Sequence, residues 1–190
     1  MALCDILIDA NIQAKCDNPF YGGYKPIGWI INKDDIEEFE REGNTLNALT
    51  LKEGKQAYQI QSVGTQPTAT TQTFVKGNYY NKWNIVVNVA LLDHGADIVE
   101  SIITPMSSGA RFVVILEHQY TEQGGGENKP MFEVFGLAKG LQLQDGASRE
   151  EYNEDLNGGW NLPLEENGAP TPSYFINNRT IVDSLKTPAI

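Results

Sequence analysis

Histidine and cysteine are scarce in this chain, two of each among 190 residues, and the scarcity narrows the chemistry at once. Metal centres built on imidazole or thiolate need several such ligands at short, regular spacings. His94 and His118 each stand alone, beside Asp93 and Glu117, with no second histidine at helical or hairpin spacing. Cys4 and Cys16, with no secretory context to oxidise them, read as free thiols. Long apolar runs are missing too. None approaches the roughly 20 residues that span a bilayer, so no membrane partner is expected. Basic residues are few, 14 Lys and Arg against 25 Asp and Glu, which leaves a formal net charge of -11. That balance opposes binding through phosphate contacts, and no sequence-specific nucleic-acid partner is expected. An acidic wall near DNA would instead repel phosphate and prevent sticking. Acids in residues 1–9 occupy the place where an export signal carries its basic flank, so secretion is not expected. The glycosylation match at Asn178, Arg179 and Thr180 accordingly reads as chance.

What is present is ordinary globular material. Hydrophobic residues make up 41% of the chain, enough at this length to bury the core of one domain. The organising stretch is 82–146. Trp83, Ile85, Val87 and Val89 alternate with Asn84, Val86 and Asn88, the period of two that predicts a strand with one apolar face. Asp93, His94 and Gly95 break it. Ile98, Val99, Ile102 and Ile103 then fall at helical spacing, and Pro105 with Ser107, Ser108 and Gly109 ends the predicted helix. Residues 111–118 and 131–135 are dense β runs, and the turn-rich 122–128 between them predicts a long hairpin. The helix is expected to pack on the strand that holds Ile85 and Val87.

Residues 1–26 alternate short apolar stretches with turn residues and read as an N-terminal arm. The first strand is expected at 27–31, followed by at most one helical turn over 36–40. The acids around Asp34 and Asp35 read as a solvated, helix-capping face. Leu49 and Leu51 with Tyr58 and Ile60 predict a hairpin turning at 52–55, with Thr50, Gln59 and Gln61 on its other face. Residues 64–72, rich in Thr, Gln and Pro and without apolar period, predict a mobile loop, after which Phe74 and Val75 start a strand. Farther on, Leu141 and Leu143 alternate with Gln142 and Gln144. Pro163 would confine a late strand, 159–165, to a sheet edge, because proline cannot donate to a ladder. Residues 166–190 read as a C-terminal arm. It holds a loop at 166–173, the apolar Tyr174, Phe175 and Ile176, and a short helix at 180–186. The domain body therefore spans 27–165, with no internal repeat.

Catalysis needs converging groups, and none stand out. A carboxylate–histidine pair serves a nucleophile only beside a Ser or Cys on a strained elbow, and no such context exists. Gly124, Gly125 and Gly126 lack the helix and the Lys of a phosphate loop, and Glu122 and Glu127 flank them, so they read as a hairpin tip. The acids Asp145, Glu150, Glu151, Glu154 and Asp155 lack the spacing and central glycine of a calcium loop. Trp29, Trp83 and Trp160 are spread through strands, which favours packing over a sugar-stacking face. No catalytic residue, cofactor site or metal site is assigned, and the chain is not expected to be an enzyme.

The order of segments resembles one family. An arm with Cys16-Asp-Asn-Pro19 is followed by Ile30-Ile-Asn-Lys-Asp-Asp-Ile36 and Leu49-Thr-Leu-Lys-Glu-Gly-Lys55. Trp83-Asn-Ile-Val-Val-Asn-Val89 then leads into a helix, Phe112-Val-Val-Ile-Leu-Glu117 and Phe132-Glu-Val-Phe-Gly-Leu137. Over roughly 16–164 this resembles the tail-tube-like and tail-barrel ring proteins of tailed bacteriophages, especially those of crAss-like phages and prophages of gut Bacteroides-type bacteria. The resemblance implies a mainly β fold with one flanking α-helix, a β-barrel or β-sandwich of the phage tail-tube type. It implies a structural virion protein whose copies form a homo-oligomeric ring, lining or supporting the DNA ejection conduit. The implied partners are itself and neighbouring tail or portal-proximal ring proteins, and the implied place is the virion tail after assembly in the host bacterial cytoplasm. A glycan- or surface-binding β-sandwich is the alternative, marked by an exposed aromatic cluster. A small enzyme would show a pocket joining His94 or His118 to a second polar group.

Overall fold

The computed structural model describes residues 23–61, 68–93, 95–118, 131–149 and 158–187. In chain order the strands are β1 (Tyr24–Asn32), β2 (Ile36–Glu42), β3 (Thr45–Leu51), β4 (Tyr58–Gln61), β5 (Thr68–Val75) and β6 (Lys82–Leu91). A 12-residue helix, 96–107, precedes β7 (Phe112–His118), β8 (Phe132–Phe135), β9 (Gln142–Leu143) and β10 (Ser148–Arg149). The chain then adds β11 (Trp160–Ala169), β12 (Tyr174–Ile176) and a short C-terminal helix, Arg179–Ser184. They form two sheets that do not close into a barrel. The first runs β2-β3-β12-β8-β7-β1-β4, and the second β10-β11-β6-β5 with β9 also on β11. Of the expected alternatives the barrel is thus excluded, and the arrangement is sandwich-like.

Burial explains the architecture. Along β6 only Ile85, Val87 and Val89 are fully buried, as the alternation requires of a strand with one face inward. β7 is buried from Phe112 to Glu117 without a break, because the first sheet is covered on both sides. Phe112, Val114, Leu116 and Phe135 meet Ile85, Val87, Leu162 and Leu164 of the second sheet. On the opposite face Val113, Ile115, Phe132 and Val134 join Trp29, Ile31, Leu46 and Leu49, with Val182 and Leu185 covering them. The 12-residue helix docks by its later half. Met106 is buried and Ile102 and Ile103 pack against the inter-sheet core, whereas Val99 is exposed. The helix also runs through Pro105 to Ser107. A wide turn over Val99–Ile103, closed by the Thr104 amide on the Val99 carbonyl, absorbs the proline.

Several expectations are corrected. Residues 36–40 are not a helical turn: the turn lies earlier, at Lys33–Asp35, and β2 pairs with β3, Phe39 opposite Leu49. Almost all of β2 is solvent-exposed, so no apolar rhythm marks it as a strand. The predicted β3–β4 hairpin does not form either. After the turn at 52–55 the Ala57 amide bonds the Leu185 carbonyl at 2.7 Å, and β4 crosses to pair with β1, Gly28 opposite Ile60. The predicted mobile loop is partly strand, since Thr68–Val75 pairs residue by residue with β6; residues 64–67 lie outside the described set. Its β-branched threonines suit a pleated edge better than a loop.

Pro163 is not at an edge. It sits opposite Asn88 of β6, with β9 and β10 on the other flank. Its carbonyl accepts from the Gln144 amide at 2.9 Å, so its N–H position also faces that flank, in the gap between the β9 and β10 ladders. The β6 ladder loses nothing. Residues 166–187 also enter the body. β11 continues to Ala169, β12 lies between β3 and β8, and the C-terminal helix closes the core. Of the expected N-terminal arm, 1–22 lie outside the described residues, and β1 begins at Tyr24.

Candidate functional site

The alternation along β8 sends Phe132 and Val134 to one face and turns Glu133 with Phe135 toward the second sheet. Glu133 is 5% exposed. A carboxylate so placed must be hydrogen-bonded or neutralised. Four side chains meet it. β7 pairs Leu116 with Glu133, and His118, two residues on and on the same face, brings Nε2 to 2.9 Å from Oε2. Tyr24, opposite His118 on β1, donates its hydroxyl to Oε2 at 2.7 Å and lies 3.0 Å from the Thr70 hydroxyl of β5. Gln72 of β5 donates to Oε1 at 2.8 Å, and the buried Ser173 does so at 2.6 Å. The Tyr24 ring leans on the imidazole, with centroids 4.8 Å apart.

Burial alone raises the Glu133 pKa, but the hydrogen bonds from His118, Ser173, Tyr24 and Gln72 outweigh it and hold it below the ordinary carboxylate value. The group is anionic at neutral pH. Burial, reinforced by the charge on Glu133, raises the Tyr24 phenol, which stays a neutral donor. The arrangement occupies the lone pairs that a general base needs free. Ser173 donates to Glu133. Structurally, the cluster cross-links β5 of one sheet to β1, β7 and β8 of the other.

Glu117 turns to the opposite face of β7. Lys25 Nζ lies 2.5 Å away, and Arg179, which caps the Phe132 ring, also reaches it. This pins the start of the C-terminal helix. At the other end of β7 a cleft of about 300 Å³ is lined by Arg111, Lys139, Gln142, Gln144, Glu165 and Asn167. The buried Glu166 accepts from the Lys139 amide beside it.

The second sheet exposes a different feature. Nothing among the described residues pairs with the outer edge of β5. At its end Phe74 is 50% exposed, Tyr79 99% and Tyr80 66%, with Phe74 edge-on to Trp83 at 5.4 Å.

His118 is thus joined to a second polar group, while His94, Cys4, Cys16, Gly124, Gly125, Gly126, Glu150, Glu151, Glu154 and Asp155 lie outside the described residues. Trp29 is in the core, and Trp83 and Trp160 are half-buried. Asn178 caps the C-terminal helix, accepting from the Thr180 amide at 3.0 Å. Among the described residues no group of three or more His, Cys, Asp or Glu side chains could hold a metal ion. Nor, among the described residues, is any helix long and apolar enough to cross a membrane. Sequence reasoning missed Glu133 and Tyr24. The available signal was one acid inside the apolar run Phe-Glu-Val-Phe. Comparison with known proteins finds no matching family model, curated protein or solved structure.

Proposed function

We propose that the chain is a structural protein of a phage virion, one subunit of a homo-oligomeric tail ring that lines or supports the DNA ejection conduit. The observation that carries this reading is the unlike character of the two long strands that end the sheets among the described residues. β2, at one end of the first sheet, bears the exposed Glu37, Glu38, Glu40 and Glu42. β5, at the end of the second sheet, bears no charged residue. Unlike surfaces join head to tail, and head-to-tail contacts between identical copies close into rings when the rotation allows. The two-sheet body with its single 12-residue helix fits the tail-tube type, and the acidic β2 suits a wall that must not hold phosphate.

The test is native mass spectrometry and negative-stain imaging of the purified protein, with duplex DNA binding measured at physiological salt. A closed ring without DNA retention is expected. A strictly monomeric protein at high concentration, absent also from purified virions, would sink the reading. A glycan-binding module is the second reading, favoured by the exposed Phe74, Tyr79 and Tyr80. In that case Tyr79→Ser with Tyr80→Ser would abolish retention on a glycan array and leave the oligomer unchanged.

A further inference from the structure

We propose that the outer edge of β5, together with the aromatic turn at 76–81, receives an extended strand from a second copy of this chain. The inference rests on the self-assembly reading above and names its contact surface.

The backbone argument comes first. In an antiparallel ladder every second residue of an edge strand turns its N–H and C=O away from its only partner. β5 is eight residues long and, among the described residues, is paired on one side only, so within that set its outer edge offers a row of unmet donors and acceptors. Proteins usually guard such an edge with charge, proline, a bulge or brevity. The other edges show these guards. β2 carries four glutamates, β10 has two residues and β4 four. β5 has none of them. Its sequence is Thr-Ala-Thr-Thr-Gln-Thr-Phe-Val, and its register with β6 is unbroken.

The occupant follows from charge. No Asp or Glu lies between Gly54 and Leu92, although the chain holds 25 of them. That segment supplies β4, β5, the aromatic turn and β6. Two copies of a chain with a net charge of -11 repel one another over most approaches. An acid-free segment is where one copy can receive another without adding carboxylates of its own. Nucleic acid fits less well, because Lys76 and Lys82 are the only cations in the turn and its flanks.

The surface is also ordered in advance. Thr70 and Gln72 are held from behind by Tyr24 and Glu133. The turn is closed on itself, since a Cβ at Gly77 would lie 2.2 Å from the Tyr80 carbonyl oxygen. That approach shapes the backbone of the turn from which the exposed Tyr79 and Tyr80 project. Aromatic side chains of this kind are the common anchors of protein contacts.

The test uses the full chain. Thr71→Lys with Thr73→Lys puts two charges on exposed β5 positions and leaves the Glu133 contacts intact. Sedimentation velocity should show the wild-type oligomer reduced to monomer, with the thermal unfolding and far-UV spectrum of the wild type retained. Tyr79→Ser with Tyr80→Ser should weaken association by roughly tenfold or more. An unchanged oligomer in the folded lysine variant overturns the β5 assignment and leaves the ring reading standing. A wild type that is monomeric at every concentration overturns both.

Discussion

Replacing Glu133 with Ala removes the acceptor on which His118, Tyr24, Gln72 and Ser173 converge. Each buried donor left without a partner costs about 1–3 kcal/mol, though partial relaxation prevents simple addition. Breaking a buried charged contact costs about 3–5 kcal/mol, and we take that as the expected loss. For a domain of this size the melting temperature then falls by roughly 10 °C. Glu133→Gln keeps one acceptor for Ser173 and Gln72 and should lose only about 1–2 kcal/mol. The pH dependence separates charge from packing. The folded-state pKa of Glu133 is lowered from 4.5, so its contribution is complete above that value and is lost as pH falls through the folded one. The gap between wild type and Glu133→Gln is widest near neutrality and closes in acid. Tyr24 acts at the other end: its raised pKa keeps its contribution intact below the ordinary 10.0, and the contribution is lost as pH rises toward the folded value. Urea titrations from acid to neutral pH, with amide exchange followed on β5, measure these quantities. A Glu133→Ala loss under about 1 kcal/mol, or a gap that does not close in acid, would refute the cross-link.

Two further substitutions probe the packing around it. Gly136 has φ 83° and a virtual Cβ only 2.5 Å from the Phe112 carbonyl oxygen, so Gly136→Ala should cost about 2–4 kcal/mol in chemical denaturation. Because Ile102 is only half-buried, Ile102→Ala should cost about 1–2.5 kcal/mol, below a full core truncation, and an unchanged melting temperature would show the helix undocked.

Legibility tracked burial. β6, β7 and β8 were readable because their apolar side chains either alternate or run continuously, according to whether one face or both are covered. β2 was unreadable because almost all of its residues face water and its place is set largely by backbone pairing with β3. β5 hid behind threonine and glutamine, whose strand preference shows only against a partner such as β6. The β3–β4 error was one of topology. A local turn signal lost to the distant bond from Ala57 to Leu185. The Glu133 site was hidden by the same non-locality, since Tyr24 reaches it across 109 positions of sequence. The proline rule failed at Pro163 because it supposes a continuous partner on each side. Here the flank facing its missing donor is split between two short strands.

The buried cluster and the proposed docking edge meet on β5. An edge strand that must dock a neighbour loses backbone freedom on binding, and that loss weakens association unless the strand is already fixed. β6 fixes β5 along one side. From beneath, Thr70 bonds Tyr24 and Gln72 bonds Glu133, both anchored in the first sheet. In the proposed assembly the anionic state of Glu133 would act through order, at a distance from the contact itself. It follows that Glu133→Ala should speed amide exchange along β5 more than along β7. It should also weaken self-association under conditions where the monomer is still folded. If β5 exchange and oligomer affinity both stay at wild-type values, the edge is held by β6 alone and the cluster serves only the core.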